Sequence, residues 1–114
     1  SDSLQRLQSY APRHDLLVGR LGVNVLPFDD FGIAPTHIKI DAEGAEILVL
    51  RGMRNTIAVH RPIVMVESGS VIACDEEMAV HGYKPYYFDV NSLVLRLRTY
   101  PVQNVFYVPD EKGP

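Results

Sequence analysis

The chain of 114 residues contains no tryptophan and a single cysteine, Cys74. One thiol cannot form an intrachain disulfide, and it does not supply the repeated Cys and His spacing of a structural zinc site. The sequence therefore argues against a disulfide-stabilised secreted fold and against a zinc module. The neighbouring carboxylates of Asp75, Glu76 and Glu77 disfavour a thiolate, so we predict that this cysteine is not a nucleophile.

Long hydrophobic runs and a large excess of one charge are also missing. No stretch approaches the ~20 apolar residues that cross a bilayer, and the N-terminus lacks the apolar core of a signal peptide. The net charge is -3, from 11 basic and 14 acidic residues, which suits neither a nucleic-acid surface nor a disordered segment. We therefore predict a globular cytoplasmic chain that binds neither membrane nor nucleic acid.

What is present is the hydrophobic patterning of an α/β domain. Residues 36–40 predict a short buried strand, and residues 63–66 form a continuous apolar run, typical of a strand that is buried on both faces. Between them, apolar residues at helical spacing predict one amphipathic helix from 43 to about 59. A strand, a helix and a strand in this order imply a right-handed parallel crossover. The predicted apolar face of the helix consists of Ala45, Leu48, Val49, Met53, Thr56 and Ile57.

The rest of the chain predicts a second helix and a set of closing strands. Residues 71–80 form the helix candidate, and Gly82 can end it in the left-handed conformation. Three shorter strands follow, at 83–88, 93–98 and 104–108. We also predict an edge strand within 23–30, and we treat residues 1–22 as a lead-in to a single domain over 1–114.

The acidic turn after the first buried strand is the most informative motif. Asp41 ends the strand, Glu43 follows two residues later, and Gly44 permits a tight turn into the helix. Ligand chemistry in open α/β sheets lies at the carboxyl ends of strands. Two carboxylates there predict a general base, a hydrogen-bond acceptor or a ligand for a hard cation. The alternative is an ordinary acidic helix N-terminus, where such side chains, Glu46 included, offset the helix dipole.

Histidines and tyrosines are further candidates. His37 opens the buried strand and is the histidine that we assign to substrate binding, with packing as the alternative. His60 and His81 fall at the ends of predicted helices, where partial positive charge is favourable. The aromatic run at 83–88 has the spacing of a stacking platform and also of a half-buried strand that covers a helix; we favour packing.

Five segments of the chain form a recognisable set: Asp29-Asp30, Ile38-Lys-Ile-Asp-Ala-Glu-Gly-Ala-Glu46, Val49-Leu-Arg-Gly52, Pro62 and Glu67. Together they resemble the FkbM family of S-adenosylmethionine-dependent methyltransferases. The resemblance covers residues 23–109 and implies the C-terminal half of a Rossmann-like class I methyltransferase fold, with parallel strands closed by antiparallel C-terminal strands. The family places a glycine-rich cofactor loop earlier in the sequence. Gly19 and Gly22 do not have its spacing, so we expect this chain to lack that cofactor half.

The resemblance implies S-adenosylmethionine as the cofactor and a hydroxyl oxygen of a sugar or secondary metabolite as the methyl acceptor. It places Asp41 and Glu43 at the catalytic pocket, with Asp41 also near the cofactor, and it adds Glu67 as a substrate-binding residue. No metal ligand is assigned. The alternatives are an enzyme whose site is completed in trans and a non-catalytic module that forms a homodimer through a bare sheet edge.

Overall fold

The computed structural model describes residues 25–67 and 71–113. A five-stranded sheet lies at its centre, with the strand order β1-β2-β5-β3-β4. β1 and β2 are parallel, and the other neighbouring strands are antiparallel. A parallel pair closed by antiparallel strands confirms the predicted fold class. The strands are β1 (His37–Ile40), β2 (Ile63–Glu67), β3 (Tyr83–Asp89), β4 (Val94–Leu97) and β5 (Asn104–Pro109).

Three helices and two short 3-10 turns accompany the sheet in the described residues. The helix predicted at residues 71–80 is confirmed, and Gly82 after it has a φ of 76°. The edge strand predicted within 23–30 is wrong where the structure describes it, because Phe28–Phe31 is a 3-10 turn that follows Pro27. The 1–22 lead-in, including Gly19 and Gly22, lies outside the described residues. The helices are α1 (Glu46–Arg51), α2 (Arg54–His60) and α3 (Val71–Val80), and the second 3-10 turn is Asp110–Lys112.

The single helix predicted from 43 to about 59 is wrong, because Asp29 interrupts its hydrogen-bond ladder. In a continuous helix the amide of Thr56 would donate to the carbonyl of Gly52. Here the Asp29 amide donates to the Gly52 carbonyl at 3.0 Å, and the Thr56 amide donates to Asp29 Oδ1 at 2.8 Å. Pro27 also packs closely on Gly52, where a Cβ would lie 3.2 Å from the proline Cβ. The helix therefore divides into α1 and α2.

The core lies on the face of the sheet that the helices cover. Val64 and Val66 of β2 and Val105 and Tyr107 of β5 share this face, because they are partners in the strand register. All four are buried, together with residues of the three helices. Burial of this apolar surface is the main force that holds the helices on the sheet. The helical contributors are Leu50, Met53, Ile57, Cys74 and Met78.

The apolar face predicted for the first helix is also partly wrong. α1 buries Glu46 and Leu50, whereas Leu48 is 63% exposed. Leu48 and Val49 instead line an open groove of about 570 Å³ against residues 25–31. The buried positions 46, 50, 53 and 57 still follow one helical repeat across the break, so the prediction had the period right and the buried side of α1 wrong.

Polar contacts attach the C-terminal half to the helices. The Asp75 carboxylate on α3 accepts a hydrogen bond from the Tyr107 hydroxyl at 2.6 Å and pairs with the Arg98 guanidinium. The buried Tyr83 hydroxyl donates to the Pro62 carbonyl at 2.6 Å. Because Tyr83 and Tyr86 are both buried, the packing that we favoured for this aromatic strand is confirmed at these two positions.

Candidate functional site

Two of the predicted acidic residues lie at the carboxyl ends of the neighbouring strands β1 and β2. Ile40 is the register partner of Val66, so continuing the same register by one residue places Asp41 beside Glu67. Neighbouring strands lie about 4.8 Å apart. Asp41 is exposed and Glu67 is partly buried. The structure thus brings both residues to the edge of the sheet where α/β proteins bind ligands.

Glu43 lies in a tight turn that leads from β1 into α1. The Ala45 amide donates to the Ala42 carbonyl at 3.1 Å, and the two central residues have positive φ, 48° at Glu43 and 102° at Gly44. Two successive positive φ values are the signature of a type I′ turn. This conformation is strained for a side chain as large as that of Glu43. The turn therefore stores strain directly beside Asp41.

Glu46 is the site residue that the sequence reasoning missed. We expected an acidic residue that offsets the dipole at the start of a helix, and the structure buries its side chain to 1% exposure. Its Oε2 accepts a hydrogen bond from the Gly44 amide at 2.8 Å. Its Oε1 is buried and has no hydrogen-bond partner in the described part of the chain. Its burial could have been predicted from spacing, because the buried positions 46, 50, 53 and 57 follow a helical repeat.

Glu67 is held by a residue that the sequence did not single out. Gln103 Nε2 donates to Glu67 Oε1 at 3.3 Å, and Asn104 is the register partner of Glu67. Next to this pair, β3 and β5 separate beyond their last register partners, Tyr86 and Phe106. The separation opens a cleft of about 440 Å³, lined by the aromatic rings of Tyr87, Phe88 and Phe106 and by the carboxamides of Gln103 and Asn104.

His37 lies away from these carboxylates. It begins β1 and pairs in register with Ile63, so four residue rises, about 13 Å, separate it from Asp41. Its Nδ1 is 3.1 Å from Thr36 Oγ1. The imidazole borders a separate hollow with Met65. Its assignment to substrate binding stays a prediction, since the structure does not group it with Asp41.

Cys74 has the character of a packing residue. Burial raises the pKa of its thiol to about 11, and the charges of Glu46, Asp75 and Glu77 add to the effect. A raised pKa disfavours the thiolate, which supports the prediction that this cysteine is not a nucleophile. Within residues 25–67 and 71–113, no three His, Cys, Asp or Glu side chains lie close enough together to hold a metal ion. In the same residues, no helix has the length and apolar character needed to cross a bilayer.

The sheet and its acidic edge define a class of protein. A parallel β1–β2 pair closed by antiparallel strands is a mixed α/β arrangement, and it is consistent with part of a Rossmann-like fold. A family model described as the methyltransferase FkbM domain matches residues 2–98. The match spans most of the chain, so the chain belongs to the FkbM methyltransferase family. Neither the curated proteins nor the solved structures gave a match.

Proposed function

We propose that this chain is an S-adenosylmethionine-dependent O-methyltransferase domain whose site lies at the carboxyl ends of β1 and β2. The observation that carries the proposal is the parallel register of these strands, because its last pair, Ile40 and Val66, is followed directly by Asp41 and Glu67. The strained turn at Glu43 adjoins the same edge, and backbone strain of this kind is concentrated at functional sites. Membership of the FkbM family supports methyl transfer as the reaction.

The residues at this edge fit the chemistry of the proposed cofactor. S-adenosylmethionine supplies an electrophilic methyl group on a positively charged sulfur, and it carries amino and hydroxyl donors. Ionised carboxylates are acceptors without donors, so Asp41 and Glu43 complement both the charge and the hydrogen-bonding groups. Asp41, at the tip of β1, is the residue that we assign to cofactor binding.

The acceptor is proposed to be a small molecule with several hydroxyl groups, such as a sugar. In the cleft between β3 and β5, the rings of Tyr87 and Phe88 offer apolar faces, and Gln103 and Asn104 offer both donors and acceptors. Glu67, oriented by Gln103, accepts a hydrogen bond from one hydroxyl. Aromatic faces with a few polar groups are a common composition of small-molecule sites.

In the proposed reaction a carboxylate assists the attacking oxygen. Asp41 or Glu43 accepts the hydroxyl proton as the new carbon–oxygen bond forms and the carbon–sulfur bond breaks. The electron pair of the broken bond stays on sulfur, which becomes a neutral sulfide. A positioned general base of this kind typically contributes about 10²- to 10⁴-fold to the rate.

The test is calorimetric titration of the folded chain with S-adenosylhomocysteine. Although the sequence lacks the spacing of the family's glycine-rich loop, the proposal requires one saturable site per chain. We expect Asp41→Asn to weaken binding by about tenfold or more without lowering the unfolding temperature. Asp30→Asn is the matched control, since Asp30 is exposed and lies before β1. Absence of binding by a cooperatively folded sample would contradict the proposal for this chain.

A second candidate function is an interaction module. Within the described residues, β1 is at the edge of the sheet and pairs with β2 alone. A free strand edge is a template for pairing with another chain, so the proposed partner is a second copy joined along His37–Ile40. Solution mass at micromolar concentration tests this proposal. A strict monomer would exclude the homodimer, whereas a dimer that binds no S-adenosylhomocysteine would favour this module over the enzyme.

A further inference from the structure

We infer that Glu46 is a positioning residue, whose buried carboxylate holds the strand-to-helix turn in the geometry that presents Asp41 and Glu43. The inference rests on the proposed function, because it assigns a purpose to the same edge of the sheet. Glu46 itself is too deeply buried to touch a ligand, at 1% exposure. It acts through the backbone of the turn.

The first argument is the hydrogen bond that Glu46 makes. Its Oε2 accepts from the amide of Gly44 at 2.8 Å, two residues before it and outside α1. Gly44 has a φ of 102° and follows Glu43 at 48°. A turn with two left-handed residues needs compensation from its surroundings. A charge-assisted hydrogen bond to the central amide supplies it, in the way that a capping-box glutamate reaches back to fix a helix start.

The second argument is the poor fit of a carboxylate to its surroundings. Glu46 lies on the same side of the helices as Leu50 and Met53, which are fully buried, and its charge acts on the buried thiol of Cys74. Its Oε1 has no hydrogen-bond partner in the described part of the chain. A half-satisfied buried carboxylate destabilises a fold relative to a leucine of similar size. Stability alone therefore does not explain a glutamate here, whereas the contact with Gly44 does.

The third argument is the precision that the site requires. Catalytic groups must be held within fractions of an ångström of their working positions. Asp41 and Glu43 precede Gly44 by three residues and one residue, with Ala42 and Ala45 closing the turn. Fixing the Gly44 amide therefore fixes the path of the backbone that carries both carboxylates.

The experiment compares the variants Glu46→Leu and Glu46→Gln with the wild-type chain. Glu76→Leu, on the exposed side of α3, is the matched control. Glu46→Leu is expected to unfold at or above the wild-type temperature, to expose the Gly44 amide to faster hydrogen exchange, and to weaken S-adenosylhomocysteine binding by about tenfold or more. Glu46→Gln keeps an acceptor oxygen, so it is expected to restore most of the Gly44 protection. Glu76→Leu is expected to change neither the exchange nor the binding.

Two results would overturn the inference. One is unchanged Gly44 exchange in Glu46→Leu. The other is a large fall in unfolding temperature with unchanged binding by the folded fraction, which is the result of a purely structural role. If the wild-type chain binds no S-adenosylhomocysteine, the proposed function fails, and Gly44 exchange still decides separately whether Glu46 holds the turn. If the wild type binds and Glu46→Leu binds equally well, the positioning role fails and the proposed function stands.

Discussion

Two carboxylates, those of Asp29 and Glu46, lie near opposite ends of α1 and differ in how fully they are hydrogen-bonded. Asp29, before the helix in sequence, has both oxygens satisfied: Oδ1 accepts from the amide and hydroxyl of Thr56, and Oδ2 accepts from the Asn55 amide. Glu46 satisfies one oxygen through Gly44 and leaves the other buried without a partner in the described residues. The difference suits two roles: the fully hydrogen-bonded Asp29 stabilises the fold, whereas we infer that the partly hydrogen-bonded Glu46 holds the shape of the site.

The backbone near each carboxylate shows the same contrast. Asp29 caps α2 and lies in the 3-10 turn Phe28–Phe31. The residues of this turn have negative φ values, and the glycine that ends it, Gly32, has a positive φ. Glu46 supports a turn in which Glu43 itself has a positive φ. Strain is therefore concentrated at one end of α1, next to Asp41, and the other end is relaxed. Stability and function are expected to respond to substitutions at different ends of the same helix.

The largest expected effect on stability is at Asp29. Asp29→Ala removes three hydrogen bonds and leaves the first amides of α2 without their cap, so we expect a loss of about 2 kcal/mol in the free energy of unfolding. Urea denaturation followed by circular dichroism measures it. Asp30→Ala is the control, because Asp30 is exposed and its backbone amide donates to the Pro27 carbonyl, a bond that the substitution keeps; its expected change is within about 0.5 kcal/mol. Equal losses in the two variants would break the comparison.

A smaller loss of stability, with a different functional consequence, is expected at Gly44. With a φ of 102°, Gly44→Ala is strained although no atom of the described residues lies within 4 Å of the new Cβ, and we expect a loss of about 1 kcal/mol. Gly32→Ala is the matched control, since Gly32 also has a positive φ and open surroundings. Both variants should be destabilised alike in urea, whereas only Gly44→Ala should weaken S-adenosylhomocysteine binding. Equal binding by the two variants would count against a positioned turn.

Much of the fold was predictable, because strand and helix periodicities act locally. The strand that ends at Ile40, helix α3 and the closing antiparallel strands follow directly from the sequence patterns. The burial predicted for the first strand is wrong, because Ile40 is the one buried residue of β1. The break at Gly52 was not predictable, since it depends on Asp29, a residue more than twenty positions away that enters the helical ladder. Local propensity carries no information on such a contact.

The candidate site was predictable in part. Asp41 was identified because it ends a predicted strand, and Glu67 was identified through the family resemblance; the parallel register puts both at neighbouring strand ends. Glu46 was missed because we related it only to the helix dipole, although its spacing to Leu50 placed it on the buried side. Gln103 was missed because its role depends on how β5 pairs with β2. The residues that escaped prediction are those whose environment is set by tertiary contacts and not by their neighbours in sequence.

The smallest expected effect is a pH dependence that belongs to Asp29. Partial burial acts to raise the pKa of its carboxyl, but the hydrogen bonds from Thr56 and Asn55 outweigh it and hold the pKa below the ordinary value of 3.8. The stabilisation is therefore fully present above that value and is lost as the pH falls through the lower pKa of the folded state. Asp29→Asn is the reference, since it resembles the protonated acid at every pH.

The measurement is the difference in unfolding free energy between wild type and Asp29→Asn, taken from near-neutral pH down to about pH 2. Glu77 and Glu111 also have lowered pKa values, through Arg54 and Arg61, but they titrate in both proteins and cancel in the difference. The difference should be constant above about pH 5 and should shrink steadily below it. A difference that stays constant to the lowest pH would mean that the charge of Asp29 does not contribute to the cap on α2. The contrast between Asp29 and Glu46 would then rest on hydrogen bonding alone.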